Sequence, residues 1–235
     1  LAWSRWLAPS QLNPMNLNPL HDVLAAQIDF ERLRSTPGMA LFVAATEVAR
    51  GRLTLMRRAA ITLDAVLAST ALPSIAHPVL LDGRAHWDGA FSANPALWPL
   101  VREVAADDLM LVTLSPLGEA TQPGSAEAIA ARVGEIAFVA PFLREAHWLA
   151  ELHADARARP WPRWGLDGRM ARLRWHLIDA DDTLSVLPGS TRLVPDWAFV
   201  QRLRDAGERA DSAEAGNANF QSVLHGGCAT GLRVQ

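Results

Sequence analysis

A short hairpin pattern constrains the fold of this chain more than any other part of its sequence. Val79-Leu80-Leu81 is an apolar run, Asp82-Gly83 is a dipeptide that favours a two-residue hairpin turn, and residues 84–87 lead back along a second strand. Asp88 stands where that strand ends, and Gly89-Ala90 follow it. Because glycine lets a backbone turn sharply and approach another group closely, we expect this loop to present the Asp88 carboxylate.

The rest of the chain alternates between patterns typical of strands and patterns typical of helices. The apolar run over 41–46 predicts an inner strand, and Thr62 is suited to cap a helix that Pro73 ends. In chain order we predict strands over 41–46 and 53–56, a helix over 62–70, the hairpin, a helix over 96–104, a strand over 109–114, a long helix from 125, a strand over 175–179 and a helix over 196–209. This alternation predicts an α/β fold with a mainly parallel sheet covered by helices on both faces.

Within the predicted long helix, apolar residues recur at helical spacing while charged residues lie off that line. The apolar positions are Ile129, Val133, Ile136, Ala140 and Leu143. Such spacing is typical of one face of an amphipathic helix.

Composition indicates a soluble globular protein and gives no sign of a nucleic-acid partner. Half of the 235 residues are hydrophobic, a fifth are charged, and the formal net charge is -3. This length suits one large domain, and the densest apolar patch, over 137–143, is far too short to span a bilayer. The single cysteine, Cys228, cannot form an internal disulfide, so the fold does not depend on an oxidising compartment. We expect the chain in the cytoplasm or at the periphery of a membrane.

The surroundings of Asp88 also resemble a known family. Asp88-Gly89-Ala90 is similar to the Asp-Gly-Gly or Asp-Gly-Ala motif that carries the catalytic aspartate of the patatin-like phospholipases. In that family an Ala-Ser-x-Ala-x-Pro pattern precedes the motif, and residues 68–73 match it. Four further segments, two before and two after this region, are similar to bacterial members and occur in the expected order. They extend the resemblance over nearly the whole chain, to about Ala215. They are residues 13–20, 41–46, 196–199 and 204–207.

This resemblance implies a three-layer α/β/α sandwich and a serine-dependent lipid acyl hydrolase. Asp88 would be the general base of a Ser–Asp dyad, because an aspartate held close to a serine in a pocket of low dielectric accepts the hydroxyl proton without a histidine. The substrate implied is a lipid ester, and a membrane surface is one place where the enzyme would meet it. The reaction implied needs neither a metal nor an organic cofactor.

Two patterns of the family do not occur in these residues. Family members carry a Gly-rich oxyanion loop and a Gly-x-Ser-x-Gly nucleophile elbow upstream of the matching region. We therefore expect a fragment whose N-terminal part is missing, which has no nucleophilic serine of its own and is inactive alone. Residues 1–101 would hold the Asp-Gly-Ala part of the catalytic domain, 102–215 its C-terminal strands and helices, and 216–235 a disordered tail. The alternative is a non-catalytic binding or regulatory remnant of the same fold.

Other residues capable of chemistry stand in weaker contexts. Ser69, Ser115 and Ser190 do not lie in a nucleophile elbow, and a hydroxyl bonded to the backbone is the role expected for each. His225 and Cys228, close together near the C-terminus, are assigned no chemistry. The histidines lack the spacing of metal ligands, so no metal site is predicted, and we interpret them as structural. They are His21, His77, His86, His147, His153, His176 and His225.

Residues 157–175 form an unusual segment in which arginines alternate with tryptophans around Pro160, Pro162 and Gly165. Two interpretations are open. The segment could bind an anionic interface, since tryptophan favours the membrane boundary and arginine attracts anionic headgroups. It could instead be a solvated surface loop whose tryptophans pack underneath.

Overall fold

The protein has a mixed α/β fold. A computed structural model describes residues 8–112, 122–159, 164–178 and 196–214. The strands are β1 (Phe42–Glu47), β2 (Arg52–Arg57), β3 (Val79–Leu81), β4 (Arg84–Asp88), β5 (Asp108–Val112) and β6 (Arg174–Ile178). The helices are α1 (Pro9–Leu12), α2 (Pro19–Gln27), α3 (Phe30–Ser35), α4 (Leu63–Ser69), α5 (Leu97–Glu103), α6 (Ala126–Ala158), α7 (Gly165–Arg172) and α8 (Trp197–Glu214). Short 3-10 turns lie at Arg58–Ala60 and Gly89–Phe91.

The strands and helices predicted from the sequence are all present and follow one another in the predicted sequence, and two of the local signals act as expected. Thr62 caps α4, because its Oγ1 accepts a hydrogen bond from the Ala65 N–H at 3.1 Å. Asp82 and Gly83 have φ angles of 49° and 74°, the two positive values that a type I′ hairpin turn requires. The helices α1–α3 and α7 were not expected from the sequence. The predicted tail, residues 216–235, lies outside the described residues.

The chain divides into two compact units. The first contains residues Leu1–Leu100 and Ala126–Glu145, and the second contains Val101–Ser125 and Ala146–Gln235.

The first unit is built on a four-stranded sheet in the order β2-β1-β4-β3. β1 pairs along its length with β2, from Phe42 opposite Arg57 to Glu47 opposite Arg52. The last three residues of β1 pair with β4, and Ala45 lies opposite Asp88. β1 is therefore an inner strand, as predicted, and Asp88 lies on the second inner strand of the same sheet.

The strand directions differ from the mainly parallel sheet that was expected. In the described parts of the chain three strand pairs are antiparallel, and the pair β5–β6 is parallel. For two of the antiparallel pairs the reason is local, because tight turns at Arg50-Gly51 and Asp82-Gly83 join β1 to β2 and β3 to β4. Connections this short can only reverse the chain, whereas a parallel pair needs a long crossover, and α6 and α7 supply one between β5 and β6.

Helix α4 covers one face of the four-stranded sheet and closes the core of the first unit. Ala65 and Ala68 of α4 are buried together with Ala45 of β1, Met56 of β2 and Ile61. Alanine side chains are short, so α4 lies close to β1. The chain that leaves α4 can then reach the end of β4, where Asp88 stands.

Hydrogen bonds from two side chains, Arg58 and His77, tie the N-terminal segment to the rest of the first unit. The Arg58 guanidinium donates hydrogen bonds to the carbonyl oxygens of Leu33 (3.0 Å) and Met39 (2.9 Å). His77 donates from Nε2 to the carbonyl oxygen of Asn13 at 2.8 Å. The loop that contains Asn13 is thereby fixed next to the loop that precedes β3.

The second unit centres on the parallel pair β5–β6. Leu111 of β5 and Leu177 of β6 are buried, while Met110 and Val112 of β5 are 60% and 57% exposed on the other face. His153 of α6 donates from Nδ1 to the carbonyl oxygen of Met170 in α7 at 2.6 Å. This buried hydrogen bond fixes α7 against α6.

The helix predicted from the apolar spacing is present as α6, and the stripe itself is exposed, by 50% at Ile129, 61% at Val133, 53% at Ile136 and 41% at Leu143. The buried apolar residues of α6 are a different set, Phe142, Ala146, Leu149 and Ala156. The described elements cover α6 only from about Phe138 onward, so the spacing identified an apolar face of the helix but not the face that is covered.

Candidate active site around Asp88

Asp88 is the last residue of β4, and its backbone is held from two sides. Its N–H donates a hydrogen bond at 3.0 Å to the carbonyl oxygen of Ala71, just past the end of α4. Its carbonyl oxygen accepts a hydrogen bond at 2.8 Å from Oγ1 of Thr46 on β1. A helix end and a neighbouring strand therefore fix this residue at the point where the sequence predicts that a strand gives way to a loop.

The two residues after Asp88 turn the chain tightly against β1. A Cβ at Gly89 would lie 2.6 Å from the carbonyl carbon of Ala44 and 2.8 Å from its Cβ, distances too short for any side chain. Ala90 is buried, with 6% of its surface exposed. The close backbone approach that the sequence predicts for the glycine is thus confirmed, and the neighbour is Ala44.

The Asp88 carboxylate has one oxygen engaged. Oδ1 accepts a hydrogen bond from the Ala90 N–H at 2.8 Å. Within the part of the chain that the structure describes, Oδ2 has no hydrogen-bond partner. Partial burial raises the pKa of Asp88 above its ordinary value of 3.8, and the Ala90 hydrogen bond opposes that rise. The result is a positioned carboxylate with one oxygen available and a basicity above that of a solvated aspartate.

Two hydroxyl groups near this loop were not singled out from the sequence. Thr46 contacts the Asp88 carbonyl oxygen, and its Oγ1 also lies 2.8 Å from Oγ of Ser92. Thr46 is 4% exposed. A buried hydroxyl at the end of an apolar strand was the available signal, but the sequence could not show which backbone group it meets.

His86 lies two residues before Asp88 and on the same face of β4, so it is a second group near the loop that could accept a proton. It is 3% exposed. Nδ1 donates to the Arg84 carbonyl oxygen at 2.8 Å, and Nε2 lies 3.0 Å from Oγ1 of Thr54. Both ring nitrogens are therefore occupied, which supports the structural role predicted for this histidine.

The other described histidines are also engaged by the protein. His77 and His153 donate to backbone carbonyl oxygens, as described above. His21, His147 and His176 each lie within 3.1 Å of a carboxylate oxygen, from Asp22, Glu151 and Asp108 respectively. Among the described residues, no three His, Cys, Asp or Glu side chains lie together as a metal site would need.

Of the three serines considered as nucleophiles, one can be placed. Ser69 donates from Oγ to the carbonyl oxygen of Val66 at 2.7 Å, which is the backbone role predicted. Ser115 and Ser190 lie outside the described residues, as do His225 and Cys228.

The arginine and tryptophan segment is better ordered than either sequence interpretation assumed, because residues 165–172 form α7. Arg169 donates to the carbonyl oxygens of Arg102 (2.9 Å) and Val104. Arg174 pairs with Asp108 at 2.5 Å, and this arginine together with His176 holds the pKa of Asp108 far below its ordinary value. Trp164 is 82% exposed and does not pack underneath, and Trp161 lies outside the described residues.

No family model matches this chain, and no curated protein matches it either. In the described parts of the chain, no helix combines the length and the apolar character needed to cross a bilayer.

Proposed function

We propose that this chain carries the aspartate half of a Ser–Asp dyad in a patatin-like lipid acyl hydrolase, with Asp88 as the general base. The observation that carries the proposal is the state of the Asp88 carboxylate. Its Oδ1 is anchored by the Ala90 N–H, its Oδ2 has no partner among the described residues, and its pKa is raised by burial. The Asp-Gly-Ala motif and the pattern over 68–73 support the same assignment.

The chemistry follows from that carboxylate. A serine hydroxyl placed near Oδ2 would give its proton to Asp88 as the serine oxygen attacks the ester carbonyl. Asp88 would then return the proton to the departing alcohol, which leaves an acyl-serine and a neutral alcohol. A water that attacks the acyl-serine would give a proton to Asp88, and Asp88 would pass it to the departing serine oxygen. This releases the fatty acid and restores the enzyme. Gly-x-Ser-x-Gly does not occur in these 235 residues, so the proposal assigns the serine and the oxyanion donors to sequence outside them.

The three-layer sandwich is part of the same proposal. A two-stranded parallel sheet is rarely stable alone, and parallel sheets are normally covered on both faces. The exposed faces of Met110 and Val112 on β5 support further structure on that side of the β5–β6 pair. The stripe at Ile129, Val133 and Ile136 on α6 supports a second covered surface in the other unit.

A non-catalytic remnant of the fold is the second candidate. The absence of a nucleophile elbow from the 235 residues favours it, because a base without a nucleophile hydrolyses nothing.

The test is to express the complete reading frame that contains these residues, from its own start codon. The product is treated with a fluorophosphonate probe, which labels activated serines, and assayed on a short-chain nitrophenyl ester and on phospholipid vesicles. The hydrolase proposal expects one labelled serine and turnover of both substrates, with neither for the 235-residue chain. A reading frame that takes up no label and hydrolyses neither ester would establish the remnant.

A further inference from the structure

We infer that Thr46 and Ser92 are positioning residues for Asp88: their hydroxyl groups form a relay that clamps the Asp88 carbonyl oxygen and so aims the carboxylate. This inference rests on the proposed function for its catalytic meaning. The hydrogen bonds of the clamp do not depend on catalysis, so their effect on the Asp88 loop can be measured in a protein that has no activity.

The direction of the relay follows from the number of protons. A carbonyl oxygen can only accept, so the single hydroxyl proton of Thr46 must point at the Asp88 carbonyl oxygen, 2.8 Å away. Oγ1 of Thr46 is then an acceptor towards Ser92, whose Oγ also lies 2.8 Å away. The alternative acceptor for the Ser92 proton is the Gly89 carbonyl oxygen at the longer distance of 3.2 Å. The relay therefore runs from Ser92 to Thr46 to Asp88, and hydrogen bonds in such a chain strengthen one another.

The Asp88 carbonyl needs this partner because strand pairing ends there. Ala45 and Asp88 form a non-hydrogen-bonded pair between β1 and β4, and the pairing of β4 with β3 reaches only as far as His86. A buried carbonyl without a partner is costly, and the Thr46 hydroxyl supplies the missing donor.

The clamp reaches the carboxylate through the backbone. Ala71 holds the N–H of Asp88 and Thr46 holds its carbonyl, so the ψ angle of Asp88, 136°, is fixed between two partners. That angle sets the direction in which Gly89 and Ala90 leave the strand. It thereby places the Ala90 N–H where Oδ1 meets it at 2.8 Å, leaving Oδ2 as the oxygen that faces a reactant.

Thr46→Val removes the hydroxyl and keeps the shape of the side chain, whereas Thr46→Ser keeps the hydroxyl. Each is made in the 235-residue chain, and Ser92→Ala is made as a second variant for the case in which Thr46→Val does not fold. Thr54→Val is the matched control, since its hydroxyl lies on β2 and contacts His86 rather than the Asp88 loop. The readouts are the amide hydrogen-exchange rate of Ala90 and the NMR titration of the Asp88 carboxyl carbon.

We expect Thr46→Val to raise the Ala90 exchange rate about fivefold, the effect of losing one hydrogen bond of average strength. The pKa of Asp88 should rise further, because the Ala90 N–H lowers it in the intact loop. Ser92→Ala should act in the same direction with a smaller effect, and Thr46→Ser and Thr54→Val should leave both readouts unchanged. Unchanged exchange and titration in Thr46→Val, or unchanged values in Ser92→Ala where the valine variant does not fold, would overturn the clamp.

The same variants in the complete reading frame separate the clamp from the proposed function. We expect Thr46→Val to lower kcat about fivefold with little change in KM and to move the acidic limb of the pH–rate profile to higher pH. Thr46→Ser should restore both. If the exchange and titration respond as expected but Asp88→Asn retains normal turnover, the clamp stands and the hydrolase proposal fails. If Asp88→Asn abolishes turnover while Thr46→Val changes neither exchange nor kcat, the hydrolase proposal stands and the clamp fails.

Discussion

Asp88 and Asp82 both precede a glycine, yet their surroundings give them different tasks. Asp82 is exposed at a φ of 49° and serves the hairpin turn, where a short polar side chain suits the left-handed region. Asp88 is partly buried, is fixed through both its backbone groups, and keeps one carboxylate oxygen without a partner in the described structure. The two residues therefore form a natural pair of test and control at the residue scale.

Asp88→Asn in the complete reading frame should lower kcat by about 10⁴-fold, as neutralising the carboxylate of a catalytic triad does. Asparagine keeps the acceptor for the Ala90 N–H but cannot take a proton from serine. Asp82→Asn should leave kcat nearly unchanged, because Asn-Gly suits a type I′ turn as well as Asp-Gly does. Steady-state kinetics on a soluble ester, with circular dichroism to check folding, tests whether turnover depends on Asp88 and not on Asp82. Near-normal turnover in Asp88→Asn would remove Asp88 from the mechanism.

The raised pKa of Asp88 also predicts how stability depends on pH. The folded protein binds the Asp88 proton more tightly than the unfolded chain, whose pKa is close to 3.8. The stabilisation from this group is therefore complete below about pH 3.8 and is lost as the pH rises through the higher folded pKa. Asp88→Asn should accordingly melt higher, relative to the wild type, at pH 7 than at pH 3. A difference in Tm between the two proteins that stays constant from pH 3 to pH 7 would contradict the pKa shift.

At the element scale, helix α6 shows that residues with regular apolar spacing need not be the buried ones. Its early turns carry an exposed stripe, while Phe142 is 3% exposed and sits one residue before Leu143 of that stripe. Phe91, in the turn after Asp88, packs edge-to-face against Phe138 of the same helix, with ring centroids 5.9 Å apart. Glu145 of α6 accepts hydrogen bonds from the first N–H groups of α5, at Leu97 (3.1 Å) and Trp98 (2.7 Å).

The two faces of α6 should respond differently to substitution. In the 235-residue chain, Val133→Gln with Ile136→Gln should change the free energy of unfolding by no more than about 0.5 kcal/mol per site, as surface substitutions do. Phe142→Ala should lower it by about 3–5 kcal/mol, because it opens a cavity in the first unit. Urea denaturation of the three proteins measures both effects. A large loss from the glutamine pair would mean that the stripe is covered in solution.

The elements best predicted from the sequence were those with local causes. Asp82-Gly83 specifies its hairpin, Thr62 specifies the start of α4, and together they place Asp88 at the end of a strand. The contacts that complete the site are distant in sequence. Thr46 meets Asp88 across 42 residues, and no local pattern encodes which hydroxyl a carbonyl will find. The same limit explains α6, since spacing defines an apolar face but not what covers it.

At the scale of the whole molecule, the exposed aromatic side chains are the feature most relevant to the hypothesis that the protein binds lipid. Trp164 immediately precedes α7 and is 82% exposed. The described arginines around it are engaged: Arg159 pairs with Asp167, Arg172 with Asp107 and Arg174 with Asp108, and Arg169 donates to backbone carbonyl oxygens. The arginines of this segment are thus largely occupied in the described structure, and Trp164 is its most accessible apolar group. The lipid interpretation therefore depends on this tryptophan more than on arginine charge.

Trp164→Ala should weaken binding to anionic liposomes by several-fold and leave hydrolysis of a soluble ester by the complete reading frame unchanged, because tryptophan favours the membrane boundary. Trp197→Ala is the control, since Trp197 is 71% exposed in α8 and lies outside the arginine and tryptophan segment. Liposome co-sedimentation with both variants tests the assignment. Equal losses of liposome binding for the two variants would indicate nonspecific hydrophobic adsorption rather than a docking segment.

The lack of space around Gly89 has a consequence for how the sequence of this loop can evolve. Because the Ala44 backbone leaves no room for a side chain, any lineage that keeps the fold must keep glycine at this position, whether or not it keeps an activity. Retention of Gly89 is therefore uninformative about catalysis. Asp88 is under no such steric requirement, and burial disfavours its charge, so a lineage released from selection for a proton acceptor would drift there toward asparagine. Among related chains that keep the glycine, the residue at the position of Asp88 would then distinguish active enzymes, which keep aspartate, from inactive ones, in which asparagine becomes frequent.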